Sequence, residues 1–344
     1  MDGCIPLLVD CDTGIDDSLA LLYACASPEA ELLAVTCVSG NVGARQVADN
    51  TRAVLELAGR DDVEVALGRE VPLVRPLEIT PETHGPRGIG YAELQPPRRP
   101  ISDRHAADLI IAEARRRPGE ITLVTLGPLT NLAVAVLREP ELPRLLNRLV
   151  IMGGSYRSPG NTAPTTEWNI HCDPEAAQVV LTAWTAATPD SSAASPIRRP
   201  LALGLDVTER AKFTPEHLAL LARRAGAHLD VAPISNPVVR FLADALRFYM
   251  EFHSRFDGFY GAFIHDPLAL AAALDPSLVR TEALTVDIEL DGTLTTGETV
   301  TDWRRTWGRP PNLDVAIEAD ADIFLERFIE RVGRLAVDRS NVAN

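Results

Sequence analysis

The chain has 344 residues, of which 46% are hydrophobic, and its formal net charge is −15. This length and composition allow one large domain with a substantial buried core. The negative charge repels phosphate backbones and anionic lipid, which argues against general binding to nucleic acids or membranes. The single lysine, Lys212, argues against Schiff-base chemistry and against a phosphate-binding loop, which needs a lysine.

The cysteines and the apolar runs bear on the compartment. Five cysteines occur and none belongs to a CxxC pair: Cys4, Cys11, Cys25, Cys37 and Cys172. An odd number of cysteines in apolar surroundings favours reduced thiols and a cytoplasmic protein. The first residues carry no signal-peptide pattern, and no apolar run reaches the roughly 18 residues that span a bilayer. We therefore expect no membrane partner.

Apolar strands alternate with helices along the chain. In chain order, the pattern predicts a strand at 5–10, a helix at 16–26, a strand at 32–38, a helix at 44–57, a strand at 121–126, a helix at 129–137, a strand at 149–152, a helix opening at 173–181 and a strand at 201–207. Strands that lack polar alternation are typical of a parallel sheet covered by helices on both faces. The sequence therefore predicts an α/β fold, in which ligands bind at the carboxyl ends of the strands.

Several segments between these elements look irregular. Residues 69–100, 155–166 and 187–200 are rich in Pro, Gly or small polar residues, which predicts loops. Residues 233–260 are rich in aromatic side chains and predict two helical pieces that cover part of the molecule. Because neither an internal repeat nor a clean linker occurs, we expect one domain over residues 1–344.

Four carboxylates lie within eight residues where the first strand passes into the first helix. They are Asp10, Asp12, Asp16 and Asp17, and Gly14 supplies the freedom for the turn between them. Such crowding of negative charge is costly unless a cation neutralises it. Calcium, which takes six to eight oxygen ligands in loose geometry, is the natural partner, and magnesium stays an alternative.

Two other interpretations of this cluster remain open. Asp16 and Asp17 could simply stabilise the N-terminus of the helix, with Asp10 and Asp12 as polar loop residues. Alternatively, Asp10 or Asp12 could be the nucleophile of a metal-dependent phosphatase, since that class also carries a DxD pattern after its first strand. The lack of a lysine partner weakens the phosphatase interpretation.

Six blocks of the sequence resemble one enzyme family and occur in that family's order. They are DCDTGIDDSLALLYA (10–24), VTCVSGN (35–41), THGPRGIG (83–90), LGPLTNLA (126–133), MGGSYRSPGNTAPTTEWNIHCDPEAA (152–177) and HDPLAL (265–270). Together they resemble the inosine–uridine-preferring nucleoside hydrolases, which are calcium-dependent. The resemblance implies a Rossmann-like nucleoside hydrolase fold: a single large domain whose mostly parallel sheet is flanked by helices. The activity it implies is hydrolysis of the N-glycosidic bond of ribonucleosides to ribose and free base.

The resemblance also implies a metal site and a catalytic base. One calcium ion per subunit would be bound by Asp12, Asp17, Asp266 and the backbone carbonyl of Leu126. Asp12 would also be the general base that activates a water molecule. Asp10 would not bind the ion itself but would orient the residues that do.

Further residues would bind the nucleoside, by the same resemblance. Those expected at the ribose are Asp16, Asn41, Met152, Asn161, Glu167 and Asn169. Those expected at the nucleobase are His84, Tyr249, His253 and His265, with His265 as the catalytic group that protonates the leaving base. Simpler interpretations stay open, since Met152 could be a core residue, each histidine could be structural, and the nearby phenylalanines could merely pack.

Two alternative functions are carried forward. The first is the DxD-type phosphatase, and the second is a protein that binds ribosides without cleaving them. A pure binding protein needs no general base, so the set of Asp12, Asp17 and Asp266 favours the hydrolase. Relatives of this kind are commonly homodimers or homotetramers, and we expect a homo-oligomer.

Overall fold

Eight strands form one twisted sheet in the computed structural model, which describes residues 3–188, 197–231 and 233–343. With the two small sheets β7-β8 and β10-β11, these ranges contain twelve strands: β1 Ile5–Cys11, β2 Ala30–Cys37, β3 Glu64–Leu67, β4 Thr122–Thr125, β5 Arg148–Met152, β6 Leu201–Leu203, β7 Lys212–Phe213, β8 Ala262–Phe263, β9 Val279–Leu284, β10 Val286–Ile288, β11 Thr299–Thr301 and β12 Leu313–Ala319. The order in the large sheet is β3-β2-β1-β4-β5-β6-β12-β9. All neighbours are parallel except β9, which pairs antiparallel with β12 at one edge.

Helices cover both faces of the sheet. They are α1 Ile15–Ala26, α2 Ala44–Ala58, α3 Pro81–His84, α4 Ala106–Arg116, α5 Thr130–Arg138, α6 Leu142–Leu145, α7 Trp168–Cys172, α8 Pro174–Ala187, α9 Leu205–Thr208, α10 Pro215–Arg224, α11 Pro237–Phe256, α12 His265–Leu274 and α13 Ala321–Ala343, with a 3₁₀ turn at Pro276–Leu278. Successive residues of a strand point to opposite faces. Thus Leu7 and Val9 pack into the core on the side of α1 and α12, whereas Leu8 packs into the core on the side of α4, α5 and α8. The predicted α/β fold is confirmed.

The strand order places the candidate site. It reverses between β1 and β4, since β2 and β3 continue on one side of β1 while β5 and β6 continue beyond β4. At such a reversal the loops after the two strands diverge and leave a crevice at their carboxyl ends. Asp12 follows β1 and Leu126 follows β4 at this crevice, and Met152 ends the next strand.

The predicted strand over 201–207 was too long. The strand β6 ends at Leu203, and the helix α9 begins at Leu205 after Gly204, whose carbonyl accepts the backbone N–H of Thr208 at 3.1 Å. A short run of buried apolar residues has the same pattern in a strand and in one buried helical turn. The sequence pattern therefore could not separate the two elements.

The region around 233–260 also differs from its prediction. It contains one helix of 20 residues, α11, instead of two pieces. The Asn236 side chain caps this helix by accepting the N–H of Val239 at 3.0 Å, and Pro237 occupies its first turn. No Gly or Pro then interrupts the helix before Gly258. Its many aromatic residues are compatible with a continuous helix, since only Gly and Pro disfavour a helix strongly.

The three predicted loops differ in content. Residues 69–100 include the short helix α3, and residues 155–166 contain no helix or strand beyond a bridge between Ala163 and Thr166. Most of the 187–200 segment lies outside the described residues. Within the described ranges, all five cysteines are free, and no helix combines the length and apolar character needed to cross a bilayer.

Candidate active site

A cavity of about 510 Å³ opens at the carboxyl ends of β1, β4 and β5. All nine residues predicted to bind substrate line it: Asp16, Asn41, His84, Met152, Asn161, Glu167, Asn169, Tyr249 and His253. Leu126, His265 and Asp266 line it too. The fold thus brings six separate sequence blocks to one cavity, and Asp10, Asp12 and Asp17 lie buried next to it.

Carboxylates form the floor of the cavity. One oxygen from each of Asp16, Asp17 and Asp266 lies within 4.8 Å of the others, and all three residues are buried. Asp16 and Asp17 start α1, and Asp266 starts α12, so two helix N-termini bring the three groups together. Burial, followed by repulsion from neighbouring carboxylates, raises the pKa of Asp12, Asp16 and Asp266 well above the usual range.

Backbone groups hold Asp12 in one orientation. Its Oδ2 atom accepts the N–H of Asn41 at 2.8 Å, while its buried Oδ1 atom has no hydrogen-bond partner in the protein. Asp17 is held in a similar way, because its Oδ2 atom accepts the N–H of Gly14 at 2.8 Å and the side-chain amide of Asn41 at 3.1 Å. An unpaired buried carboxylate oxygen is costly, so Oδ1 of Asp12 is an atom prepared for a ligand.

Two glycines pack directly against the Asp12 carboxylate. A Cβ atom added at Gly40 would overlap Oδ2 of Asp12, and one added at Gly127 would lie 2.6 Å from Oδ1. Because both distances are shorter than a carbon–oxygen contact allows, a methyl group at either glycine would displace the Asp12 carboxylate. The loops after β2 and β4 therefore require glycine at these positions.

We expect Gly40→Ala to lower kcat/KM for the nucleoside hydrolysis that the sequence resemblance implies by at least about tenfold, because the new methyl group displaces the Asp12 carboxylate. Gly43→Ala is the matched control, since a Cβ atom there meets nothing within 4 Å. Steady-state kinetics on the two purified variants provide the test. Equal activities of both variants would show that the position of Asp12 does not matter.

The donor set of the cavity floor fits a hard divalent cation. Its ligand atoms are carboxylate oxygens, and Oδ1 of Asp12 lacks a hydrogen-bond partner. The three carboxylates that lie close enough to share an ion are Asp16 and the predicted ligands Asp17 and Asp266. The Leu126 carbonyl accepts the side-chain amide of Asn169 at 2.7 Å and keeps a second lone pair. Oxygen donors of this kind suit calcium or magnesium.

Asp10 supports the floor from below. Its Oδ1 atom accepts the Thr36 hydroxyl at 2.5 Å and the Asn131 amide at 2.7 Å, whereas its Oδ2 atom has no partner. Burial raises the pKa of Asp10 to about 7, against the lowering effect of these two hydrogen bonds. Asn131 also accepts the N–H of Arg69 at 2.8 Å and so ties the first loop to the sheet.

The wall on the side of α7 carries polar groups suited to sugar hydroxyls. The Glu167 carboxylate caps α7 and accepts the backbone N–H groups of Gly154 and Asn169, each at 2.9 Å. The Asn169 amide donates to Leu126 O and to the Met152 carbonyl at 3.2 Å, which leaves the Asn169 carbonyl for a ligand. Asn161 accepts the N–H of Trp168 at 2.9 Å and keeps its amide donors.

Two neutral histidines lie on the other side of the cavity. Burial lowers the pKa of His84 and of His265 to about 3. Nδ1 of His84 accepts the N–H of Ile15 at 3.1 Å, so the ring proton of His84 resides on Nε2. His265 shares its Nδ1 atom with the Thr208 hydroxyl at 2.8 Å, and that hydroxyl also reaches Gly204 O at 3.2 Å. Rotation of the hydroxyl therefore allows either tautomer of His265, a role for Thr208 that the sequence did not reveal.

Aromatic rings complete the outer part of the cavity. Tyr249 lies between two histidines, with its ring centroid 5.4 Å from that of His84 and 4.6 Å from that of His253. Phe252 and Phe256 also line the cavity and pack on each other with centroids 4.7 Å apart. The phenylalanines therefore both pack and offer an apolar surface for a flat ligand such as a nucleobase.

Comparisons with known proteins agree with this architecture. The family model described as "Inosine-uridine preferring nucleoside hydrolase" matches residues 7–326. A protein of that name from Leishmania major is 37% identical over 334 residues, covering 96% of this chain and 98% of its own. The "Pyrimidine-specific ribonucleoside hydrolase RihA" of Enterobacter sp. (strain 638) is 36% identical, covering 97% and 99%.

A solved structure shows the same fold. The purine-preferring ribonucleoside hydrolase from Gardnerella vaginalis superimposes with a TM-score of 0.85 and 31% identity, covering 97% of this chain and 99% of that one. The fold and the cavity therefore define an enzyme that hydrolyses N-glycosyl bonds of nucleosides. The chain belongs to the inosine–uridine preferring nucleoside hydrolase family.

Proposed function

We propose that this enzyme uses calcium, held on the cavity floor, and Asp12 as general base to hydrolyse ribonucleosides to ribose and free nucleobase. The observation that supports the proposal best is the buried group of Asp16, Asp17 and Asp266 beside the unpaired Oδ1 atom of Asp12. When its carboxyls are ionised, such a floor concentrates negative charge that a bound cation would offset. Its position at the reversal of the strand order is where ligands bind in this type of fold.

The base in this mechanism is Asp12. Asp12, Asp17, Asp266 and the Leu126 carbonyl would hold the calcium ion, with Asp16 close to the same group. When bound, calcium would lower the pKa of a water molecule and attract the ribose 2′- and 3′-hydroxyls. Asn41 N–H would keep Oδ2 of Asp12 in place, with a second lone pair of Oδ2 left for the ion, and Oδ1 would accept the proton of the attacking water.

Different walls of the cavity would contact the ribose and the leaving base. Asn161, Glu167 and Asn169 would bind the sugar hydroxyls, for which carboxylates and amides offer matching acceptors and donors. As the water oxygen bonds to C1′, the electron pair of the glycosidic bond passes to the base nitrogen. His84 presents a fixed Nε2–H group that would stabilise this charge by a hydrogen bond, and His265 with Thr208 would supply the second donor.

The lining of the cavity disfavours the phosphatase alternative. Six of its described residues are acidic, namely Asp16, Glu82, Glu167, Glu209, Asp257 and Asp266, and none is Lys or Arg. A phosphate group would meet net repulsion in this cavity, whereas a neutral nucleoside would not. The riboside-binding alternative does not explain the fixed orientation of Asp12 or its unpaired oxygen, because binding alone needs no general base.

Product analysis tests the reaction. We expect uridine or inosine to yield equal amounts of ribose and free base, and uridine 5′-phosphate to yield no phosphate. In water enriched in ¹⁸O, the label should enter ribose at C1. Release of phosphate would favour the phosphatase, and tight nucleoside binding without products would favour the binding protein.

We also propose a cytoplasmic homo-oligomer, a dimer or tetramer. Free cysteines support a reducing compartment, because four of the five are buried or half-buried thiols without a disulfide partner. The expected oligomer follows from the family resemblance alone. Light scattering on the purified protein measures the oligomeric state.

A further inference from the structure

His253 and Asp257 form a pair at the end of α11 beside the nucleobase part of the cavity. Nδ1 of His253 lies 2.7 Å from Oδ2 of Asp257, one helical turn further along. His253 is only 4% exposed, and its buried Nε2 atom has no hydrogen-bond partner in the protein. Since His253 lines the cavity and Asp257 occupies Nδ1, Nε2 is the polar atom left for a ligand.

Asp257 determines where the ring proton of His253 resides. A carboxylate only accepts hydrogen bonds, so Nδ1 of His253 must carry the proton and donate it. Burial lowers the pKa of His253 even though Asp257 acts in the opposite direction, so the ring is neutral at neutral pH. In this tautomer Nε2 bears a lone pair and is an acceptor.

Packing keeps this acceptor in place. The ring of His253 contacts Tyr249, with centroids 4.6 Å apart, and the edge of Phe263, at 4.8 Å. Phe259 stacks on it at 5.7 Å. Because these rings and the pairing with Asp257 restrict rotation, the direction of the Nε2 lone pair is fixed before a ligand arrives.

We propose that the Asp257–His253 pair is a specificity determinant that favours nucleobases with a ring N–H group, which Nε2 of His253 accepts, over bases with a ring nitrogen lone pair there. This inference rests on the proposed nucleoside hydrolysis. Uracil and hypoxanthine carry such an N–H, whereas cytosine and adenine carry a lone pair at the corresponding ring nitrogen. When cytosine or adenine is bound, its ring-nitrogen lone pair would face the lone pair of Nε2. The two lone pairs repel each other, and the buried Nε2 atom stays without a hydrogen bond. Asp257 is the positioning residue in this arrangement.

Two matched substrate pairs test the inference: uridine with cytidine, and inosine with adenosine. We expect the wild-type enzyme to prefer the first member of each pair in kcat/KM. Asp257→Ala removes the group that fixes the tautomer and should lower this preference about tenfold, as a lost hydrogen bond of roughly 1.4 kcal/mol would. His253→Phe keeps an aromatic ring but removes the acceptor, and should have the same effect.

Asp244→Ala is the matched control. Asp244 lies on the same helix, its side chain is 41% exposed like that of Asp257, and it lies outside the cavity. We expect this variant to keep the wild-type preference. If Asp257→Ala slows both members of each pair equally, its role is structural and the inference is wrong. An unchanged preference in His253→Phe would also contradict it.

A spectroscopic measurement separates this inference from the proposed function. In protein labelled with ¹⁵N-histidine, the ring nitrogen that bears the lone pair and the ring nitrogen that bears the proton have well-separated chemical shifts. The signals missing from the spectrum of His253→Phe are those of His253. We expect the lone pair on Nε2 in the wild-type protein and a mixture of tautomers in Asp257→Ala. A wild-type protein with the proton on Nε2 would overturn the inference.

If the enzyme cleaves none of the four nucleosides, the proposed function fails, and binding measured by calorimetry then tests the inference. Equal affinity for uridine and cytidine would contradict it, and tighter binding of uridine would support it.

Discussion

Replacing Asp12 by asparagine should lower kcat by about 10²- to 10⁴-fold, the range that a general base typically contributes. Asparagine has nearly the same shape, so it keeps the space between Gly40 and Gly127 filled. It cannot take a proton from water, and it is a poorer ligand for a divalent cation. Steady-state release of ribose from inosine or uridine measures the effect.

The control for this substitution is Asp49→Asn, because Asp49 lies on the surface of α2 with a side chain 53% exposed. Its activity should equal that of the wild-type enzyme. Thermal unfolding of the Asp12→Asn protein shows whether it remains folded. A folded Asp12→Asn enzyme with near-normal kcat would mean that another group activates the water.

Calcium is expected to raise the Tm of the wild-type protein by several degrees and to leave the Tm of Asp17→Asn nearly unchanged. A ligand that binds only the folded state stabilises it by about 2.7 kcal/mol at roughly 100 times its Kd. Asp17 contributes one of the three carboxylate oxygens that lie within 4.8 Å of one another on the cavity floor. Loss of this oxygen should therefore weaken calcium binding strongly. Differential scanning calorimetry with calcium or chelator gives both values.

The calcium effect should also depend on pH. Burial and repulsion raise the pKa of Asp12, Asp16 and Asp266, so at low pH protons neutralise the floor and compete with the ion. As pH rises and the carboxyls ionise, the metal-free protein loses stability and the gain from calcium grows. A calcium-induced rise in Tm at pH 5 as large as that at pH 8 would contradict this account.

Local patterns in the sequence were sufficient to predict most of the sheet and the carboxylate cluster after β1, whereas the other site residues were expected from the family resemblance. The apolar run before Asp10 predicts a buried strand, and the carboxylates after it must then lie at the strand's carboxyl end. His265 and Asp266 are distant in sequence, and their position came from the family resemblance rather than from any local pattern. The cavity contains every residue predicted to bind substrate.

Features that depend on contacts between distant segments were not predictable. Asn131 looks like a turn residue in the sequence, yet its amide holds Asp10 across 121 positions of chain. Thr208 follows the predicted strand over 201–207, but β6 ends at Leu203 and Thr208 belongs to α9, where its hydroxyl contacts His265. One local contact was missed as well: Asp257 carries no motif, and it meets His253 only because α11 is a single helix that places Asp257 one turn later.

The measurement that tests the central claim most directly is release of ribose from inosine, uridine, adenosine, guanosine and cytidine, with and without a calcium chelator. We predict release from at least one nucleoside, loss of that release on chelation, and recovery when calcium is added in excess. Undiminished release in the presence of the chelator, by a protein shown to be free of metal, would contradict the metal-dependent mechanism. No release from any nucleoside by the folded, calcium-loaded protein would contradict the proposed reaction itself.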